Sequence, residues 1–233
     1  MHAWVEWARG PAFTFCFCFM VLGLVRHVVL TMWEVNRTMR RAGDTSLPLA
    51  AIGRATVRWL LPMDTIRHDV VFSLTSVVFH VAILIVPLLL VGHIALWARG
   101  LGVSWPGIPN GLSDVLTVLA VVTAAALAVQ RVTARVTRAI SKPQDHLLLL
   151  VLALPFVTGF LVMHPSFNPF AFDTAMFLHV MSGNAVFLLM PVTKLSHAVL
   201  LPGTQLVAEI GWHWPADSGS RVAAALGKEA ESV

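Results

Sequence analysis

Five apolar runs, each near the length of a membrane-crossing helix, constrain this chain more than any other feature of it. They lie at about residues 11–32, 70–97, 112–130, 147–163 and 174–201. Crossing the hydrocarbon core takes ~20 apolar residues in a helix, and only helices and closed barrels satisfy their backbone polar groups there. Apolar residues make up 57% of the 233 positions and charged residues 12%, too little polar surface for a water-soluble domain of this size. The expected fold is therefore an all-α membrane protein. It is a five-transmembrane-helix bundle over residues 1–203, with a cytoplasmic tail at 204–233. No internal repeat, low-complexity tract or separate soluble domain is visible.

The loops orient the bundle. Arg37, Arg40, Arg41, Arg54, Arg58 and Arg67 follow the first run, and Arg131, Arg135, Arg138 and Lys142 follow the third. The other loops are poor in bases: 98–110 holds Arg99 alone and 164–173 has none. Basic loops stay in the cytoplasm. The N-terminus is thus expected in the periplasm and the C-terminus in the cytoplasm, in a bacterial inner membrane crossed several times. A cleaved signal peptide would carry its basic residues before the apolar core; here they follow it, as in an uncleaved span. All eight tryptophans (4, 7, 33, 59, 97, 105, 212 and 214) fall at run ends or in flanking segments, as an aromatic belt would place them. The net charge of +4 belongs to these loops and points to membrane topology, not to nucleic acid. Between Pro48 and Pro62, Leu49 to Leu61 reads as a short interfacial helix with Arg54 and Arg58 on its wet side, or as a docking surface for a cytoplasmic subunit. Pro155 is expected to kink the fourth run.

The chemistry lies in the histidines. The last run holds His179 and His197, eighteen residues apart. That is five whole helical turns and about 27 Å, so both rings leave the same face, one near each membrane surface. The second run, rising from the cytoplasm, holds His80 and His93. Depth alone then pairs His93 with His179 outside and His80 with His197 inside. Ionisable groups at such depth are functional hypotheses in search of a partner. Neutral imidazoles on facing helices are what a b-type haem takes as axial ligands, its apolar macrocycle filling the gap between helices. Two haem b groups are expected. His80 and His93 stand thirteen residues apart, about 140° around an ideal helix, so a kink or rewinding at Pro87 is needed to turn both the same way.

Supporting residues are of two kinds. Gly92 and Gly183 would let a flat ring approach the backbone, or would serve plain helix packing. Lys194, one turn before His197, would pair with a haem propionate or snorkel to the interface. Arg99 and His164 are candidates for a quinone pocket beside the outer haem. His27, His68 and His146 read as interfacial residues. Cys16 and Cys18 form neither a CxxC nor a CxxCH pattern and read as apolar filler, so no iron–sulfur ladder is present.

These residues resemble a known family. Phe177-Leu-His179, Gly183, Phe187-Leu-Leu, Pro191 and Lys194-Leu-Ser-His197 are similar to the last helix of the gamma subunit of membrane-bound respiratory nitrate reductase, a five-helix dihaem cytochrome b. Phe79-His80 and Val91-Gly92-His93 resemble its second helix, and Asp145 with Leu147 to Leu161 its fourth. The resemblance implies bis-histidine haems paired as above and quinol oxidation near the outer haem. It also implies electron exit from the inner haem to a cytoplasmic iron–sulfur subunit. The thirteen-residue spacing is longer than in that subunit. With Pro87 and the Gly102 to Asn110 loop, it looks more like a related branch of gamma-like cytochromes b. Those work with periplasmic multihaem cytochromes c and heterodisulfide-reductase-like subunits. Other readings stay open: a haem-free anchor, a proton-relaying transporter or a single-haem variant. Against transport, the runs show no inverted repeat and no matched pair of broken helices.

Overall fold

The computed structural model describes residues 1–42, 49–60 and 69–212, with the isolated positions 224 and 227. Pro48, Leu61, Pro62, Arg67, His68, Trp214 and most of the expected tail lie outside the described residues. Among the described residues the regular structure is helical, apart from one isolated bridge between Leu90 and Ile108. Five helices are long and apolar enough to cross a membrane: His2–Arg37, Val70–Leu89, Asn110–Thr133, Pro143–Met163 and Phe172–Leu189. The chain is a multi-pass membrane protein. Its exposed large side chains, Phe15, Leu22, Leu74, Val122 and Leu150 among them, are apolar and face lipid.

The first span comprises α1 (His2–Trp7), a π-helical turn at Ala8–Ala12 and α2 (Phe13–Ala42). Pro11, which has no N–H, sits inside the π turn. After α3 (Leu49–Leu60) come α4 (Val70–Leu89), α5 (Val91–Leu101), α6 (Asn110–Thr133), α7 (Arg135–Ile140), α8 (Pro143–Met163), α9 (Phe172–Leu189) and α10 (His197–Trp212). Two compact units divide the chain: Met1–Phe19 with Met63–Leu189, and Met20–Pro62 with Met190–Val233.

In the first unit α4 packs along α6, α6 along α8 and α8 along α9. Phe79, Ala82 and Val86 of α4 recur at helical spacing and meet Ala120, Ala124 and Leu127 of α6, closed over by Leu149 and Phe156 of α8. The alanines let the backbones approach, which matters where no water drives apolar faces together. Thr117 and Thr123 return their hydroxyls to the carbonyls of Ser113 and Leu119, so the core holds no unsatisfied threonine there. α8 opens with a capping box in which the Asp145 carboxylate accepts from the Lys142 N–H at 2.9 Å.

In the second unit α3 packs against α10. Ile52 and Thr56 of α3 are buried while Arg54 and Arg58 are exposed, the amphipathic arrangement expected of this segment. Gly23 lies against the Pro191 ring so closely that a Cβ there would come within 2.5 Å of the Pro191 Cβ.

Two expected spans are shorter than their hydropathy suggests. The second run is not one helix over 70–97: α4 ends at Leu89, and Leu90 is extended with ψ 124°. The interruption falls three residues after Pro87, so the distortion expected there is a full break. The last run is likewise not one helix over 174–201. α9 ends at Leu189, Met190–Thr193 turn, Lys194–Ser196 form a 3-10 turn capped by Thr193, and α10 begins at His197. Pro191 lacks the N–H that would continue the helix and clashes with the carbonyl of Phe187, which accounts for the stop. His179 and His197 therefore do not share a helix, and the five-turn reckoning of their common face does not apply. α10 also runs past the expected boundary at 203. Pro155, by contrast, lies within α8 without ending it.

The break at Leu90 is closed by the segment 102–109, which packs back on it through Gly107. A Cβ at Gly107 would stand 2.9 Å from the Leu89 carbonyl oxygen and 2.8 Å from Val91 Cγ2. Gly107→Ala is expected to destabilise the chain by about 1–3 kcal/mol, seen as a lower melting temperature in detergent. Gly111→Ala, where no atom lies within 4 Å, is the control and should not lower it. Equal melting of the two variants would contradict this packing.

Candidate functional site

The break at Leu90 sets His93 in the first turn of α5, and its Nδ1 lies 3.1 Å from the Pro87 carbonyl oxygen. His179 stands on the second turn of α9, with its Nδ1 2.9 Å from the Pro155 carbonyl of α8. The two rings are brought together. Their centroids are 6.0 Å apart and their planes differ by 8°. Both side chains are half-buried.

A carbonyl has no hydrogen to give, so each Nδ1 must donate. In a neutral imidazole that leaves Nε2 with its lone pair, the form in which histidine ligates a metal. Separation then discriminates between the things two imidazoles can do. A direct N–H···N hydrogen bond would bring ring centres to about 5 Å. Two metal–nitrogen bonds of about 2 Å, each with roughly 1 Å from nitrogen to ring centre, give about 6 Å. The observed 6.0 Å is longer than the first.

The other two expected ligands show the same tautomer. His80 Nδ1 donates to the Ser76 carbonyl at 2.7 Å, with the Ser76 hydroxyl at 3.5 Å, and its ring meets Phe79 edge-on. His197 Nδ1 donates to the Lys194 carbonyl at 2.7 Å. His80 belongs to the first unit and His197 to the second. His27 is the reverse case: its Nε2 donates to the Pro191 carbonyl at 2.6 Å, so the nitrogen that usually meets iron is committed to the backbone. Among the described residues no three His, Cys, Asp or Glu side chains gather as a metal cage would need. A bis-imidazole site is a different donor set.

Gly92 and Gly183 have no atom within 4 Å of where a Cβ would stand, as is also true of Gly100 and Gly111. The glycine in direct ring contact is another one. A Cβ at Gly159 of α8 would lie 2.9 Å from His179 Cε1, and the absence of one lets the imidazole lie against that helix. Lys194 opens the 3-10 turn and supplies the carbonyl that orients His197. Arg99 is exposed and turns back to the Ala95 carbonyl at 3.3 Å. His164 caps α8, stacks on Phe160 at 4.1 Å, donates Nδ1–H to the Phe160 carbonyl and places Nε2 3.5 Å from Asp114.

Gly159, Asp114 and Asn184 were not singled out by sequence reasoning. Asn184, 2% exposed, donates its amide to the Ala8 carbonyl at 3.1 Å and so ties α9 to the π turn of the first span. A buried asparagine in an apolar run is a visible signal; a glycine is not.

A protein of Nitratidesulfovibrio vulgaris (strain Hildenborough) is 32% identical over 171 residues, covering 72% of this chain and 74% of that protein. The chain belongs to the same family as that protein. The relative's name, simply "Protein", states no activity. No family model matches the chain, and no solved structure matches it.

Gly159→Ala is expected to push the His179 ring from its seat and weaken its bond to Pro155. The cost should be about 1–3 kcal/mol, read as a lower melting temperature. Gly53→Ala, inside α3 with no neighbouring atom within 4 Å, should not lower it.

Proposed function

We propose that the chain is a dihaem b-type cytochrome, the membrane subunit of a respiratory oxidoreductase complex that exchanges electrons with the quinone pool. One observation carries the reading: the parallel imidazoles of His93 and His179, 6.0 Å apart, each with Nδ1 on a proline carbonyl. His93 and His179 would hold the outer haem, and His80 and His197 the inner. A haem b held in this way supplies reversible one-electron chemistry at its iron.

The chain's own residues do the rest. The carbonyls of Pro87, Pro155, Ser76 and Lys194 fix the tautomer and aim of the four rings, and such partners raise ligand basicity. Gly92 and Gly183 leave space beside the ligands. Lys194 is the candidate partner of a propionate. Arg99 and His164 remain the candidate quinone contacts, and His164 Nε2 stands 3.5 Å from the Asp114 carboxylate. Oriented by its arginines, the bundle has its N-terminus in the periplasm and its C-terminus in the cytoplasm of a bacterial inner membrane. Quinol oxidised outside with electrons leaving inside would separate charge. The partner is then a cytoplasmic iron–sulfur or heterodisulfide-reductase-like subunit, a periplasmic multihaem cytochrome c, or both. The four histidines and the resemblance to nitrate reductase gamma subunits support this assignment. A single-haem form is the second reading, resting on the His93–His179 pair alone.

A pyridine haemochrome assay on the detergent-purified chain should give two haems b per chain. Replacing His93 or His179 by Ala should remove one of them, and replacing His80 or His197 the other. One haem in the wild type, lost with His93 or His179, establishes the single-haem form. No haem in the folded wild type sinks the cytochrome reading, and loss of both from one change sinks the pairing.

A further inference from the structure

The last four carbonyls of a helix have no partners within it and must be satisfied from elsewhere. In α4 these belong to Val86, Pro87, Leu88 and Leu89. Val86 accepts from the Leu90 N–H at 3.0 Å. The His93 imidazole takes Pro87, at 3.1 Å. Leu88 accepts the Trp105 indole N–H at 2.8 Å, and Leu89 the Ile108 N–H at 2.9 Å. Every carbonyl of that helix end has a donor, and two of the donors come from the segment 102–109. The candidate ligand His93 is a third.

The same segment holds α5 further along. Trp105 packs against Trp97 at 6.2 Å, and Trp97 packs edge-on against Phe17 at 5.2 Å. The short helix that carries His93 is thus gripped on both sides of the histidine. One grip is the Leu90–Ile108 bridge before it, and the other is the tryptophan pair after it. Gly107 allows the approach, since any side chain there would strike Leu89 and Val91.

We propose that Trp105 is a positioning residue for His93: its indole N–H closes the helix end next to the Pro87 carbonyl and thereby sets the aim of the imidazole. The segment 102–109 then controls the outer haem and leaves the inner one alone. The inference rests on the dihaem reading. With Trp105 unable to donate, the Leu88 carbonyl loses its partner. The broken end then rearranges to find another donor, and the neighbouring carbonyl that holds Nδ1–H moves with it.

The test is a redox titration with low-temperature electron paramagnetic resonance on membranes containing the full chain. The variant Trp105→Phe keeps the ring and removes the donor. His93→Ala identifies the outer signal by its loss, and Trp4→Phe is the control. The expected result is a shift in both midpoint potential and resonance position of the signal missing in His93→Ala, with the other signal unmoved. Should Trp105→Phe fail to fold, Gly107→Ala lifts the same segment while keeping the indole, and should give the same selective shift. No shift, or an equal shift of both signals, overturns the positioning role and leaves the haem reading intact. A folded wild type without haem overturns the haem reading itself, a different outcome read in a different sample.

Discussion

Inside a bilayer no water is at hand to accept what the backbone leaves over, and each unsatisfied polar group costs several kcal/mol. An interrupted helix is therefore tolerated only if its loose carbonyls and amides are closed by the protein. Three such places among the described residues each have their own closure. The break at Leu90 is met by His93, Trp105 and Ile108. The Pro191 carbonyl is met by His27. The Ala8 carbonyl, in the π turn, is met by Asn184. Side chains that look like isolated polar residues in apolar runs turn out to be backbone donors.

That constraint also sorts the histidines. A ring whose Nδ1 meets a carbonyl keeps Nε2 as a lone pair; a ring whose Nε2 meets one does not. His93 and His179 fall in the first class and His27 in the second, while His80 and His197 also set Nδ1 on a carbonyl. For His80 the acceptor is four residues back on the same helix, an ordinary arrangement. His93 and His179 are different, because their acceptors lie beyond a helix break and on another helix. Their orientation is thus a tertiary property and costs structure to maintain, which sets them apart from His80.

How much of this was legible follows from the range of each interaction. The spans could be read because hydropathy over ~20 residues is a local property. The meeting of His93 and His179 could be read from depth, which alternating basic and poor loops supply. The helix ends were misjudged because an apolar run does not stop where its helix stops. Nothing in the hydropathy of 70–97 or 174–201 marks Leu90 or Met190. Proline was the available signal, and it was used at Pro87 but not at Pro191, although both precede or begin a break. Gly159 was beyond reach for another reason: its role is defined by a ring from a different helix, twenty residues on.

The break at Pro191 changes what the last run can do. On one straight helix, the directions of His179 and His197 would be tied together by the 3.6-residue pitch, and any shift of one ring would rotate the other. With α9 ended at Leu189, each ring takes its aim from its own carbonyl, Pro155 for His179 and Lys194 for His197. The same holds for His80 and His93 on either side of Leu90, whose ideal-helix angle of about 140° ceases to matter. Two helix breaks thus release four histidines from helical phase. A site built from such residues is set by local hydrogen bonds, and their spacing in the sequence is free to vary.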